Sequence, residues 1–174
     1  MDVQKKKVLY SREEIGDKVS KLAEAISEDY RDRDVVLIGV LKGAFIFMAD
    51  LIRCLKIPCV VDFIRVASYG SGSVSSGQVV IRKDIETDIE GKDVLIVEDI
   101  IDTGITLRFL VEKLKERKPR SLKVCAFLDK RARRKVEFEA DYVGFTMEDG
   151  FVVGYGLDFN EMSRFHPEVY VVEE

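Results

Sequence analysis

Two kinds of chemistry meet in one short stretch, Glu98-Asp99-Ile100-Ile101-Asp102-Thr103-Gly104-Ile105-Thr106. It follows Val94-Leu95-Ile96-Val97, an apolar run expected to form a strand buried on both faces. Three carboxylates at the end of such a strand repel one another and are poorly solvated, a cost that a cation or a hydroxyl-rich ligand offsets. Thr103-Gly104-Ile105-Thr106 is small and leads straight into a helical pattern. Successive N–H groups in a turn of that kind, with a helix dipole behind them, make an anion site, and Thr103 and Thr106 add hydroxyl donors. Glu98 and Asp99 can therefore take sugar hydroxyls or a metal, while 102–106 take a phosphate. A phosphorylated ribose presents both needs together. Each part alone reads as an ordinary acidic turn or a Thr-capped helix; the combination favours a functional site. It is not a P-loop, since GxxxxGK[ST] is absent. Nor is Gly70-Ser71-Gly72 a dinucleotide fingerprint, because the next glycine is Gly77 and a strand follows.

The elements that must position this stretch alternate. Ser11-Arg12-Glu13-Glu14 reads as a capping box opening a helix with Ile15, Val19, Leu22, Ala23 and Ile26 on one face. A buried strand is predicted over 35–41, then a helix starting at Gly43 and running through Phe47, Leu51 and Leu55 to Pro58. Another strand covers 59–66, a loop flexible by composition covers 67–77, and strand character resumes over 78–82. After the acidic loop, Leu107, Leu110, Val111 and Leu114 carry a helix ending near Pro119, and 122–128 form the next strand. The tail offers short strands at 142–145, 151–156 and 169–172 without a helix between them. The expected fold is α/β, a mostly parallel twisted sheet flanked by helices. The tail completes that sheet and then builds a small lobe over its edge. The chain, 1–174, is read as one domain.

Composition narrows the function classes. A formal net charge of −4 disfavours a general nucleic-acid surface. Cys54, Cys59, Cys125 and the single His166 offer no zinc spacing or disulfide framework, so reduced, mostly buried thiols are expected. His166, beside Pro167, is read as structural or exposed. No apolar run is long enough for a membrane span, and the start 1–7 lacks a signal-peptide core, so a soluble cytoplasmic protein is expected.

The stretch 94–106 resembles the diphosphoribose-binding motif of type I phosphoribosyltransferases, and Glu-Asp-Ile-Ile-Asp-Thr-Gly is similar to the hypoxanthine-guanine version. Four more matches span the chain: Leu41-Lys42-Gly43-Ala44-Phe45; Asp62-Phe63-Ile64-Arg65 with Ser68-Tyr69-Gly70; Lys130-Arg131; and Phe151-Val152-Val153-Gly154-Tyr155 through Leu157-Asp158. The resemblance implies a hood subdomain made by the N-terminal segment and approximately 148–174. It implies a Mg2+-dependent transfer of a phosphoribosyl group from 5-phosphoribosyl 1-diphosphate to N9 of a 6-oxopurine, with a homodimer or homotetramer as the assembly.

Residue roles follow from the same resemblance. Lys42 and Gly43 would form a pyrophosphate loop, with the Leu41–Lys42 peptide able to be cis, and Arg164 would reach the pyrophosphate. Phe165 departs from the polar residue that several relatives carry there. Ser68 and Tyr69 match a mobile lid that shields the transition state from water. Lys130 would donate to the oxygen at C6 of the purine, Phe151 would stack on the base and the backbone at Val152 would read its edge. Asp158 would bind magnesium, with Glu98 and Asp99 as further candidates. Glu98 and Asp99 would hold the ribose hydroxyls, the turn 102–106 the 5′-phosphate, and Asp102 the base proton near N7. The basic run 133–135 reads as solvated surface. Rivals are transfer to adenine or a pyrimidine, against which Lys130 argues, and a regulatory nucleic-acid-binding protein, against which the acidic balance argues.

Overall fold

The structure, a computed structural model, describes residues 6–69 and 78–172. Twelve elements follow in order: β1 Lys6–Tyr10, α1 Arg12–Asp29, β2 Val35–Leu41, α2 Phe45–Cys54, β3 Cys59–Tyr69 and β4 Gln78–Lys83, then β5 Asp93–Ile101, α3 Ile105–Lys115, β6 Ser121–Lys130, β7 Tyr142–Met147, β8 Phe151–Val153 and β9 Val169–Val172. The main sheet runs β4-β3-β2-β5-β6-β7, parallel throughout except for β4. A separate antiparallel sheet, β1-β9-β8, joins the two ends of the chain.

The period of two along β2 explains its unbroken apolar run. Val35 and Leu37 face the layer of α1 and α2, while Val36, Ile38 and Val40 face the layer of α3. Leu95 and Val97 of β5 likewise face the first layer, and Val94 and Ile96 the second. α1 starts at the predicted capping box: Ser11 Oγ accepts from Glu14 N (3.2 Å) and Glu14 Oε2 accepts from Ser11 N (2.8 Å). All five residues of its predicted apolar face are buried. The strand ends carrying Leu41, Ile101 and Lys130 lie on one side of the parallel sheet, where ligands bind in open α/β folds.

Several boundaries differ from the sequence reading. β5 continues to Ile101, so Glu98 and Asp99 are strand residues and not part of a loop. β3 continues through Ala67, Ser68 and Tyr69 because it is paired: Ser68 lies opposite Val79 and Tyr69 opposite Gln78 in an antiparallel hairpin. The side chain of Tyr69 and the remainder of the lid sequence, 70–77, lie outside the described residues. β8 spans three residues only, because Gly154 and Gly156 at φ 98° and 95° turn the chain out of extended geometry. The thiols are not mostly buried: Cys125 is enclosed, Cys59 half-buried and Cys54 exposed on α2. Among the described residues, no helix is long and apolar enough to cross a membrane.

Candidate active site

Two glycines bring three segments together. A side chain at Gly43 would run into the carboxylate of Asp99, and one at Gly156 would run into the carbonyl of Gly43. The segment between β2 and α2, the end of β5 and the segment after β8 are therefore in backbone-close contact. The Leu41–Lys42 peptide is cis.

Glu98 is buried and Asp99 half-buried at the end of β5. Burial pushes both carboxyls above the usual range, and Asp99 pushes Glu98 further. Two of their oxygens are partly satisfied in place: Glu98 Oε1 accepts from Asp99 N (3.0 Å) and Asp99 Oδ1 from Ile100 N (2.8 Å). The pair is thus costly to ionise in the free protein, and a ligand donating hydrogen bonds or positive charge lowers that cost.

Beyond Ile101 the chain turns through Gly104, whose φ of 81° starts α3. Thr103 Oγ1 accepts from Ile105 N (3.3 Å), and the N–H groups of the following helical turn have no carbonyl four residues earlier within the helix. Asp102 stands between this turn and two cations, Lys130 and Arg133. Its Oδ2 is 3.7 Å from Lys130 Nζ and 3.5 Å from Arg133 Nη1, whereas its Oδ1 is buried with no partner. Lys130 is buried at the end of β6, and its Nζ also donates to Gly150 O (3.4 Å).

Phe151 is exposed and meets Phe159 edge-on at 5.5 Å between centroids. Val152 is buried opposite Val171, on a strand that forms the edge of its sheet. Asp158 accepts from Arg164 Nη2 (2.9 Å) and from Glu161 N (2.9 Å). Arg164 also donates from Nη1 to Gly156 O (2.7 Å), while its Nε is buried without a partner. Phe165 is exposed, and the His166 ring lies between Phe165 (4.3 Å) and Tyr170 (5.2 Å). A cavity of about 680 Å³ between α1 and α2 is lined by His166, Tyr155 and Asp50 among others, and none of the predicted site residues lines it.

Asp158, Glu98 and Asp99 are not gathered into one metal-binding set: among the described residues no group of three or more His, Cys, Asp or Glu side chains converges on a point. Their hard oxygen donors still suit Mg2+, which commonly binds one or two carboxylates and takes its other ligands from water and substrate phosphates.

Two participants were missed by the sequence reading. In the run 133–135, read as solvated surface, Arg133 and Lys135 are exposed but Arg134 is not. Arg134 is largely enclosed; it donates to Asp102 O (3.2 Å) and Phe138 O (2.5 Å) and ion-pairs with the buried Asp129. Lys135 N donates to Thr103 O at 2.9 Å. This segment therefore pins the 102–104 turn from behind. An acid immediately before Lys130, at the end of a buried strand, was the available signal, since a carboxylate there needs a cation close by. Glu161 is the second: its Oε2 is 2.6 Å from Lys42 Nζ, a contact across 119 residues that no local pattern announces.

A family model described as phosphoribosyl transferase domain matches residues 7–160. The hypoxanthine-guanine phosphoribosyltransferase of Aquifex aeolicus is 50% identical over 171 residues, covering 98% of this chain and 96% of that protein. Its namesake in Bacillus subtilis is 50% identical over 167 residues, covering 96% and 93%. The crystal structure of a hypoxanthine phosphoribosyltransferase from Staphylococcus aureus superposes with a TM-score of 0.92 at 43% identity, covering 96% of this chain and 91% of that one. A match over most of the chain and identity of this extent to relatives of nearly the same length lead to one assignment: the chain belongs to the phosphoribosyl transferase family.

Proposed function

We propose that the protein transfers the 5-phosphoribosyl group of 5-phosphoribosyl 1-diphosphate to N9 of hypoxanthine or guanine, releasing pyrophosphate. The observation that carries this reading is the meeting of Lys130 and Asp102 at 3.7 Å, directly beside the glycine turn that starts α3. A 6-oxopurine reader and a phosphate cradle then share one residue between them.

In this reading the turn 102–106 holds the 5′-phosphate through N–H groups and the two threonine hydroxyls. Glu98 and Asp99 accept from the ribose hydroxyls. Lys130 donates to the oxygen at C6, Phe151 covers the base with its exposed ring, and the edge-strand backbone at Val152 reads the far side of the purine. N9 bonds to C1′ as the bond from C1′ to the diphosphate oxygen breaks, the electron pair leaving with pyrophosphate. Asp102, whose Oδ1 is without a partner, takes the proton that the base gives up near N7. Lys42 and Arg164 stabilise the departing charge. Bound Mg2+, held by Asp158 or the Glu98–Asp99 pair together with substrate oxygens, would add charge neutralisation at the diphosphate. The β1-β9-β8 sheet acts as the hood over the base side.

Base choice tests the assignment. An ammonium donates only, so it suits a 6-oxo group and opposes the amino group of adenine. Discrimination by an unpaired buried polar group reaches about 10⁴–10⁵. Pyrophosphate release with hypoxanthine, guanine and adenine should show adenine nearly inert, and Lys130→Ala should lose most 6-oxopurine turnover and narrow the gap. Efficient adenine turnover by the unmodified protein would overturn the assignment.

A further inference from the structure

Both cations assigned above to the diphosphate are already engaged by a carboxylate of the protein. Glu161 Oε2 lies 2.6 Å from Lys42 Nζ, and its Oε1 lies 3.6 Å from Arg164 Nη2. The carboxylate is presented by an unusual turn. Asn160, Glu161 and Ser163 have φ of 50°, 65° and 74°, a left-handed region that asparagine enters readily but glutamate and serine seldom do. Hydrogen bonds hold the turn: Glu161 N donates to Asp158 Oδ2 (2.9 Å), and Phe159 and Met162 exchange backbone hydrogen bonds at 3.1 and 2.9 Å. Asp158 already neutralises Arg164 from the other side. Glu161 is therefore a second acid aimed at the same cations, and the one that reaches Lys42.

We infer that Glu161 is an internal competitor for the diphosphate. Its carboxylate occupies Lys42 and Arg164 in the free protein, yields them to the substrate's diphosphate, and returns to them as pyrophosphate leaves. The inference rests on the proposed placement of the diphosphate at Lys42 and Arg164. Glu161 is exposed at the surface, so its replacement leaves the core untouched. The plain alternative is an exposed ion pair without consequence for ligands, which is common.

Calorimetric titration with magnesium pyrophosphate distinguishes these, using the unmodified protein, Glu161→Gln, Lys42→Ala and the double variant. Lys42→Ala should weaken binding. Glu161→Gln should tighten it about two- to fivefold, the range one exposed ion pair is worth, and should slow pyrophosphate dissociation in stopped flow. In the Lys42→Ala background the gain from Gln should shrink. Unchanged affinity in Glu161→Gln, with Lys42→Ala still weakening binding, overturns the inference alone. Weaker binding in Glu161→Gln overturns it and makes Glu161 a support of the bound anion or its metal. An unaffected Lys42→Ala overturns the diphosphate placement and the inference with it.

Discussion

Gly43→Ala tests the contact on which the site's geometry depends. The backbone of Gly43 lies outside the left-handed region, so alanine meets no conformational strain there. The obstacle is a side chain: the new methyl would collide with Asp99 Oδ2 and lie 2.5 Å from its Cγ and 3.2 Å from its Oδ1. Asp99 can give way only by breaking the hydrogen bond its Oδ1 accepts from Ile100 N at 2.8 Å. Overpacking of this kind costs about 1–3 kcal/mol. Displacing reacting groups by about 1 Å costs on the order of 10²-fold in kcat/KM. If Asp99 is the obstacle, removing it should remove the penalty. Urea denaturation of the unmodified protein, Gly43→Ala, Asp99→Ala and the pair should give a coupling of at least about 1 kcal/mol at constant m-value, with the added methyl nearly neutral in the Asp99→Ala background. Equal costs of Gly43→Ala in both backgrounds would refute the reasoning, as would a single variant within twofold of normal kcat/KM.

Asp102→Asn keeps the shape of the side chain but removes the carboxylate proposed to take the base proton, so turnover should fall about 10²–10⁴-fold with little change in diphosphoribose binding; near-normal turnover removes the assigned role. Glu98→Gln should stabilise the ligand-free protein by about 0.5–2 kcal/mol, the scale of relieving one destabilising site feature. The sign follows from burial raising the Glu98 carboxyl: the folded state holds that proton more tightly, so stability falls as pH rises from about 4.3 towards the raised folded value. Melting temperatures against pH should show a flatter profile for Gln, and an equal or steeper one counts against it. Arg134→Ala leaves the buried Asp129 without its enclosed partner and should cost about 3–5 kcal/mol in denaturant unfolding. A loss below about 1 kcal/mol would mean that Arg131, 3.2 Å from the same carboxylate, suffices.

Much of the fold was legible because its signals are local. The Ser11–Glu14 capping box needs only the spacing of two side chains that hydrogen-bond each other's backbone, and the helix it opens buries the predicted face. The apolar runs of β2 and β5 read as doubly buried strands, since an apolar residue is needed at every position where both faces are covered. The strand limits were less legible. Ala67, Ser68 and Tyr69 carry loop composition, yet pairing with Val80, Val79 and Gln78 keeps them extended. Glu98 and Asp99 stay in β5 although charge disfavours it, because β6 continues alongside as far as the Ile101–Asp129 pairing.

What the sequence by itself determined is the chemistry of one contiguous stretch: a strand, an acidic pair and a Thr-Gly turn leading into a helix are neighbours along the chain, so their meeting needed no tertiary information. What only the tertiary structure decided is what surrounds that stretch. Gly43 lies against Asp99, Lys130 against Asp102, Arg134 against the back of the 102–104 turn, and Glu161 on Lys42. The basic run 133–135 looked like solvated surface because a charge run carries no mark of which member turns inward; Asp129, left buried at the end of β6, draws Arg134 in. Lys42 and Glu161 are 119 residues apart, and only the packing of the segment between β8 and β9 onto the one between β2 and α2, with Gly156 against Gly43, makes them neighbours. Periodicity and capping act over a few residues, whereas the electrostatic environment of each ionisable group depends on what the fold packs against it.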